Sequence, residues 1–187
     1  MDTVRHLLHA LVSRLTGQPI VPLGARLRHR FEMECIGADG RLKWRETFYN
    51  LVTTAGLNKY LDATLKTGLA SPAWYVSLVT AKTTGYAAGD TLASHGGWTE
   101  GTPGSDWTGD RIAFTPGTIS GGSVDNSASK AAFPILASLT VYGALLCDAA
   151  TGTSGTLLGV GDFTGGSRSV VSGDQLNVTV TPSLTAS

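Results

Sequence analysis

The chain has 187 residues, which is long enough to bury a core. It has no net formal charge and only 15% charged residues, which is not typical of a nucleic-acid-binding protein. Gly, Ser, Thr and Ala are abundant, as in β-proteins with many turns. The charge is uneven, because residues 1–30 carry five arginines and one aspartate, a net +4, and the remainder carries −4. This asymmetry favours contact between the basic part and an acidic surface of a neighbouring protein.

Residues 1–16 predict an amphipathic helix. Its apolar positions recur at helical spacing and form the N-terminal stripe: Val4, Leu7, Leu8, Leu11 and Leu15, with Val12 beside them. Such a short helix is marginal alone, so either its own domain or another chain must cover the stripe. The segment is too short and too polar to span a bilayer, and we predict no membrane partner.

Residues 17–30 predict an extended basic arm. Pro19 and Pro22 favour extended backbone. Arg26, Arg28 and Arg30 alternate, which places three guanidinium groups on one side of the chain. No aromatic residues are interleaved with them, so acidic protein is a better partner for the arm than nucleic acid. We therefore predict that the N-terminal stripe and these arginines bind neighbouring subunits.

Residues 31–187 predict one β-sandwich domain that begins with a hairpin. Residues 31–36 alternate apolar and acidic side chains, residues 38–40 read Ala-Asp-Gly, and the return strand starts at Arg41. A helix follows, capped by Thr53 or Thr54. Its leucines at 57, 61 and 65 recur every four residues, with Tyr60 and Thr64 beside them, and we predict that this face packs across the sheet.

The rest of the chain alternates short apolar runs with turn residues. Residues 73–81 are apolar on both faces and predict an interior strand. Further strands are predicted at 111–115, 118–124, 131–135, 138–147, 156–163 and 175–181. The pattern predicts a mainly β fold: a two-sheet sandwich, jelly-roll-like or immunoglobulin-like, with one embedded helix and an N-terminal helix plus extended arm.

Residues 82–110 form a long Gly-rich loop with several rings. Tyr86, His95, Trp98 and Trp107 make it a candidate ligand-binding loop, because exposed aromatic rings can stack on sugars of a host glycan. The favoured alternative is that the two tryptophans anchor the loop to the sandwich. His95 with Asp90 and Glu100 is a weak metal signal, and no metal or other cofactor is predicted.

Cys35 and Cys147 lie in apolar strand-like contexts without partners at metal-ligand spacing. We predict buried free thiols and no disulfide.

Several turn and packing motifs carry a family resemblance. They lie at residues 50–58 (NLVTTAGLN), 61–62, 74–78, 88–91 (AGDT), 95–100 (HGGWTE), 125–129 and 172–174. With these motifs, residues 31–181 resemble a family of small, mostly uncharacterised structural proteins of tailed bacteriophages. The resemblance brings no catalytic set, and it implies a non-enzymatic protein located in the virion.

Two placements in the virion follow from that resemblance. The appended helix favours the tail vertex, at an adaptor or fibre attachment, and the alternative is a capsid decoration or cement protein. A carbohydrate-binding module contacting the host surface is a second alternative. Partners would be other copies of the chain and other virion proteins: a tail adaptor, a portal-proximal protein, a fibre protein or the major capsid protein.

Overall fold

The computed structural model describes residues 24–66, 68 and 70–186. Within them the chain forms twelve strands, one α-helix and one short 3-10 helix at Ser127–Ser129. In chain order the elements are β1 (Ala25–Ile36), β2 (Leu42–Tyr49), β3 (Leu51–Val52), α1 (Thr54–Leu65), β4 (Tyr75–Lys82), β5 (Trp98–Glu100), β6 (Ile112–Ala113), β7 (Ala131–Pro134), β8 (Leu139–Val141), β9 (Gly143–Cys147), β10 (Leu157–Asp162), β11 (Arg168–Val170) and β12 (Gln175–Ala186).

The strands pair into two main antiparallel sheets. The four-stranded sheet has the order β2-β1-β12-β7. The six-stranded sheet has the order β3-β10-β9-β4-β5, and β6 also pairs with β4. Strands β8 and β11 form a separate two-stranded ladder. The prediction of a mainly β sandwich with an embedded helix is confirmed.

The first hairpin and the interior strand form where the sequence predicts them. Gly40 has φ +76°, and its N–H donates to the carbonyl of Gly37 at 2.8 Å, which closes the turn between β1 and β2. Strand β4 lies between β9 and the β5–β6 edge, and residues 76–79 are buried. The run at 118–124 contains isolated bridges and no strand, because Gly121 and Gly122 adopt left-handed φ values of +56° and +74°.

The main core lies between the two large sheets. The rings of Phe31 and Phe48 stack with centroids 5.1 Å apart, and Phe163 meets Phe48 edge-on at 5.2 Å. Alternate residues of β4 and β9 point to opposite faces of the six-stranded sheet. A second, smaller apolar cluster therefore covers its outer face, and it includes Leu92 from the long loop and Trp98, the first residue of β5.

Helix α1 begins close to β10. The Thr53 hydroxyl accepts the N–H of Gly56 at 3.0 Å, which confirms the predicted cap, and it donates to the carbonyl of Leu157. The Thr53 N–H donates to the carbonyl of Leu158 at 3.1 Å. Gly56 is buried and lies close to the β10 backbone. A Cβ at this position would be only 2.9 Å from the Leu158 Cα and carbonyl carbon. These contacts fix which face of the helix points inward.

The predicted burial of the helix leucines is wrong. Leu57, Leu61 and Leu65 are 45%, 55% and 76% exposed, and we call them the leucine stripe. The inward face carries Gly56 and Tyr60, and of the predicted face it is the Tyr60 ring that packs against the main core. Only a residue without a side chain fits against the β10 backbone, so the glycine decides the rotation of the helix.

Strand β1 begins six residues before the predicted domain start. Its register with β12 runs from Ala25 opposite Ala186 to Ile36 opposite Gln175. Residues 25–30, predicted as the end of a free arm, are therefore strand residues, because β12 is long enough to supply backbone partners for them. The predicted anchoring helix at 1–16 and residues 17–23 lie outside the described residues.

Candidate functional site

The predicted partner-binding residues fall into two groups. Val4, Leu7, Leu8, Leu11 and Leu15 lie outside the described residues. Arg26, Arg28 and Arg30 lie on β1 and alternate with the more buried Leu27, His29 and Phe31, so they share the outer face of the four-stranded sheet.

The surroundings of the three arginines differ. The Arg28 guanidinium lies 3.6 Å from the ring centroid of Tyr49, in cation–π geometry. Arg30 pairs with Glu32 at 2.6 Å. No ion pair links Arg26 to a residue in the described part of the chain. The three arginines thus share one face of the sheet, and among the described residues only Arg30 of the three forms an ion pair.

Trp98 anchors the long loop to the outer face of the six-stranded sheet. It is 4% exposed, and its indole N–H donates to Asp90 at 2.9 Å. The His95 ring stacks on the indole at 3.8 Å, and its Nδ1 lies 3.0 Å from the Trp98 carbonyl. A carbonyl only accepts, so this Nδ1 carries the proton. Tyr86 meets Trp98 edge-on at 6.0 Å.

Trp107 is buried deeper still. It is fully excluded from solvent, its indole N–H donates to the carbonyl of Asp110 at 2.9 Å, and Phe133 meets its ring edge-on at 5.4 Å. Neither indole therefore offers an exposed face on which a sugar could stack. The geometry agrees with the alternative in which both tryptophans anchor the loop.

The three residues of the weak metal candidate, His95, Asp90 and Glu100, make other contacts. The Glu100 carboxylate binds the guanidinium of Arg111 through two hydrogen bonds of 2.6 and 2.7 Å, and these bonds raise the Arg111 pKa. Asp90 accepts the Trp98 indole and the backbone N–H of Ala87. Within the described ranges no three ligand-type side chains are grouped so that they could hold a metal ion.

Both cysteines are buried and free, as predicted. Cys35 lies in β1 and Cys147 in β9. Burial raises the pKa of each thiol to about 11, so neither carries appreciable thiolate at neutral pH.

A buried histidine ties α1 to the four-stranded sheet. His29 is fully buried; its Nδ1 lies 2.6 Å from the Asn50 amide nitrogen and its Nε2 lies 3.4 Å from the Tyr60 hydroxyl. Burial lowers the His29 pKa to about 4, so the ring is neutral at pH 7. His29 and Phe31 are two residues apart on one strand, so their side chains point to the same face. The sequence alone could therefore have predicted that His29 is buried, but the alternating arginines obscured this signal.

An apolar groove opens beside α1. Two cavities, of about 210 and 380 Å³, share four lining residues: Tyr60, Ile119, Val124 and Pro182. We call this continuous feature the helical groove. Leu27 and Leu184 form its outer end, and the larger cavity continues inward to Trp74. Sequence patterns could not reveal it, because its walls come from segments far apart in the chain.

One family match places these features among known proteins. The family model described as "Podophage GP4 fiber I protein gp80" matches residues 52–186. The chain belongs to this fibre I family. It is therefore a component of the phage particle, and the predicted resemblance to phage virion proteins is supported at that level.

The match includes α1 and most of the helical groove but leaves out β1 and β2. No curated protein matches the sequence. None of the described helices is long and apolar enough to cross a membrane.

Proposed function

We propose that the chain is a non-enzymatic structural subunit of a podophage tail fibre. In this proposal residues 1–23 fasten the β-sandwich to neighbouring subunits at the tail vertex, at an adaptor or a fibre attachment. The observation that carries the proposal is the fibre I family match over residues 52–186. That description favours the tail over capsid decoration.

The chemistry of the described residues supports a role in binding rather than catalysis. Two carboxylates of the long loop are engaged in structural contacts: Glu100 with Arg111, and Asp90 with Trp98. The host-glycan alternative loses its strongest argument, because Trp98 and Trp107 are inside the protein. Interfaces with other virion proteins remain as the function that the geometry supports best.

The proposed anchor has a plausible strength. Burying a leucine side chain contributes roughly 1.5 to 3 kcal/mol before the cost of ordering the segment. The N-terminal stripe holds four leucines and one valine. Repeated around a symmetric ring, even modest anchors of this kind give strong overall attachment.

Copy number per purified virion tests the tail placement. Quantitative mass spectrometry should give a few to a few tens of copies relative to the major capsid protein. Hundreds of copies would mean a capsid decoration protein and would refute the tail placement.

Incorporation of variants tests the anchor. The double variant Leu8→Glu, Leu11→Glu places two charges on the N-terminal stripe and should be lost from particles. The control His6→Glu, Ser13→Glu adds the same two acidic residues on the opposite helical face and should be retained. Equal incorporation of the two double variants would show that the stripe is not the anchor.

A further inference from the structure

The helical groove is an exposed apolar surface. Ile119 is 75% exposed and Leu184 is 48% exposed, although both are large aliphatic residues. Tyr60, Val124 and Pro182 continue the same apolar wall. Contiguous apolar surface of this kind marks an interaction site in a soluble protein.

The leucine stripe is a second exposed apolar surface on the helix that lines this groove. Leu57 lies one helical turn before Tyr60, and Leu61 lies one turn before Thr64, which lines the larger cavity. Leu57, Leu61 and Leu65 project from the helix without a covering element among the described residues. Leu57, Leu61 and Leu65 line neither cavity, so α1 carries two apolar surfaces: its wall of the helical groove and the leucine stripe.

We propose that the helical groove receives the N-terminal stripe of a second copy of this chain. This inference rests on the proposed function, in which residues 1–23 fasten the protein to its neighbours, and it names the acceptor surface. The stripe residues Leu7, Leu8, Leu11 and Leu15 supply aliphatic side chains to a groove walled by aliphatic and aromatic ones. A helix that lays its apolar face into such a groove is a common recognition mode.

The position of β1 makes this exchange sterically accessible. The described chain starts at Gly24, and Leu27, three residues later, already lines the outer end of the groove opposite Leu184. Residues 16–24 could extend over about 30 Å, and a helix of the twelve residues 4–15 is about 18 Å long. Each copy thus presents its N-terminal segment next to the rim of its own groove, where a neighbouring copy can meet it.

The leucine stripe favours a second copy over the same copy. A segment that folds back on its own groove brings no second sandwich near Leu57, Leu61 and Leu65. A segment from a second copy places that copy's sandwich beside the groove, where it can cover the leucine stripe. Exchange of identical segments between protomers is also a low-cost route to a closed oligomer.

Complementation between two variants tests the exchange in the full-length protein. The groove variant is Leu184→Glu, and its matched control is Leu136→Glu, because the two leucines are 48% and 47% exposed and Leu136 does not line the groove. Ile119→Glu is a second groove variant. The variant of the N-terminal stripe, called the stripe variant, is Leu8→Glu, Leu11→Glu. The readout is molar mass by size-exclusion chromatography with light scattering, after circular dichroism has shown that each variant is folded.

The proposal expects the wild type and Leu136→Glu to form oligomers, and each groove variant and the stripe variant to associate at least about tenfold more weakly. Mixing a groove variant with the stripe variant should restore a heterodimer, because one copy keeps an intact segment and the other an intact groove.

Any one of the following results would overturn the proposal. A monomeric wild type would show that no second copy supplies the segment. Groove variants that associate as the wild type does would show that the groove is not the acceptor. A mixture of the two variant types that stays monomeric would show that the intact segment of one copy does not dock in the intact groove of the other. If groove variants self-associate and enter particles normally while the stripe variant is lost from particles, the proposed anchoring function stands and only this acceptor surface is wrong.

Discussion

Replacing Gly56 by alanine should have two opposite effects on stability: a gain in helix propensity and a steric clash with β10. In an exposed helix interior, alanine is more favourable than glycine by about 0.8 to 1 kcal/mol. Here the added Cβ would lie 2.9 Å from the Cα and the carbonyl carbon of Leu158, and closer still to the carbonyl oxygen. All three atoms belong to the backbone of β10, so a side-chain rotation cannot relieve the overlap.

The helix must therefore move away from β10 by roughly 1 Å, because unstrained carbon–oxygen contacts lie near 3.3 Å or beyond. That movement stretches the 3.1 Å hydrogen bond from the Thr53 N–H to Leu158, a bond worth about 1 kcal/mol. Overpacking of this kind costs about 1 to 3 kcal/mol. After subtracting the propensity gain, we expect Gly56→Ala to lower the free energy of unfolding by about 1 to 3 kcal/mol.

Equilibrium unfolding in urea measures this loss. The matched control is Gly89→Ala, because no heavy atom lies within 4 Å of its added Cβ and its φ is not left-handed. The control should change the free energy of unfolding by less than about 0.5 kcal/mol. If Gly56→Ala instead stabilises the protein by about 1 kcal/mol, as at an exposed helical site, the close packing of α1 on β10 is refuted.

Two further predictions concern buried ionisable groups. The His29 pKa is about 4 in the fold and 6.5 in the unfolded chain. Between these pH values the unfolded chain binds a proton that the folded protein does not, so the free energy of unfolding falls as the pH is lowered from 6.5 to 4, by up to about 3 kcal/mol. In urea unfolding across that range, His29→Gln should lose less stability than the wild type, and parallel profiles would contradict the assignment. Arg111→Met leaves Glu100 unpaired at 16% side-chain exposure and should cost about 3 to 5 kcal/mol. Lys66→Met, which breaks the exposed pair with Asp62, should cost under about 1 kcal/mol, and equal losses would refute the burial argument.

Local chemistry made part of the fold predictable. The Ala38-Asp39-Gly40 turn needs one left-handed glycine and two flanking strands, and all of that information lies within a few residues. Thr53 caps α1 because its own hydroxyl reaches the first turn. The apolar run in β4 reports a strand buried on both faces. Each of these signals is complete within its own segment.

The rotation of α1 was not predictable in the same way. In its sequence the leucines at 57, 61 and 65 give the strongest hydrophobic signal. The outcome depends on contacts with distant segments: Gly56 against β10, and Tyr60 against His29 of β1. The helical groove has the same origin, because Ile119 and Pro182 meet Tyr60 only once the chain has folded. Exposure of the leucines is therefore a tertiary result.

The start of the family match is not a structural boundary of this protein. Residues 52–186 lack β1 and β2, yet β1 pairs with β12 at twelve positions and contributes Phe31, Met33 and Cys35 to the main core. Without the β1–β2 hairpin, β12 would be an unpaired edge with an exposed apolar face. The hairpin also carries the chain past Leu27 to the rim of the helical groove. The segment that completes the sandwich is therefore the same one that positions residues 1–23 for the proposed exchange between copies.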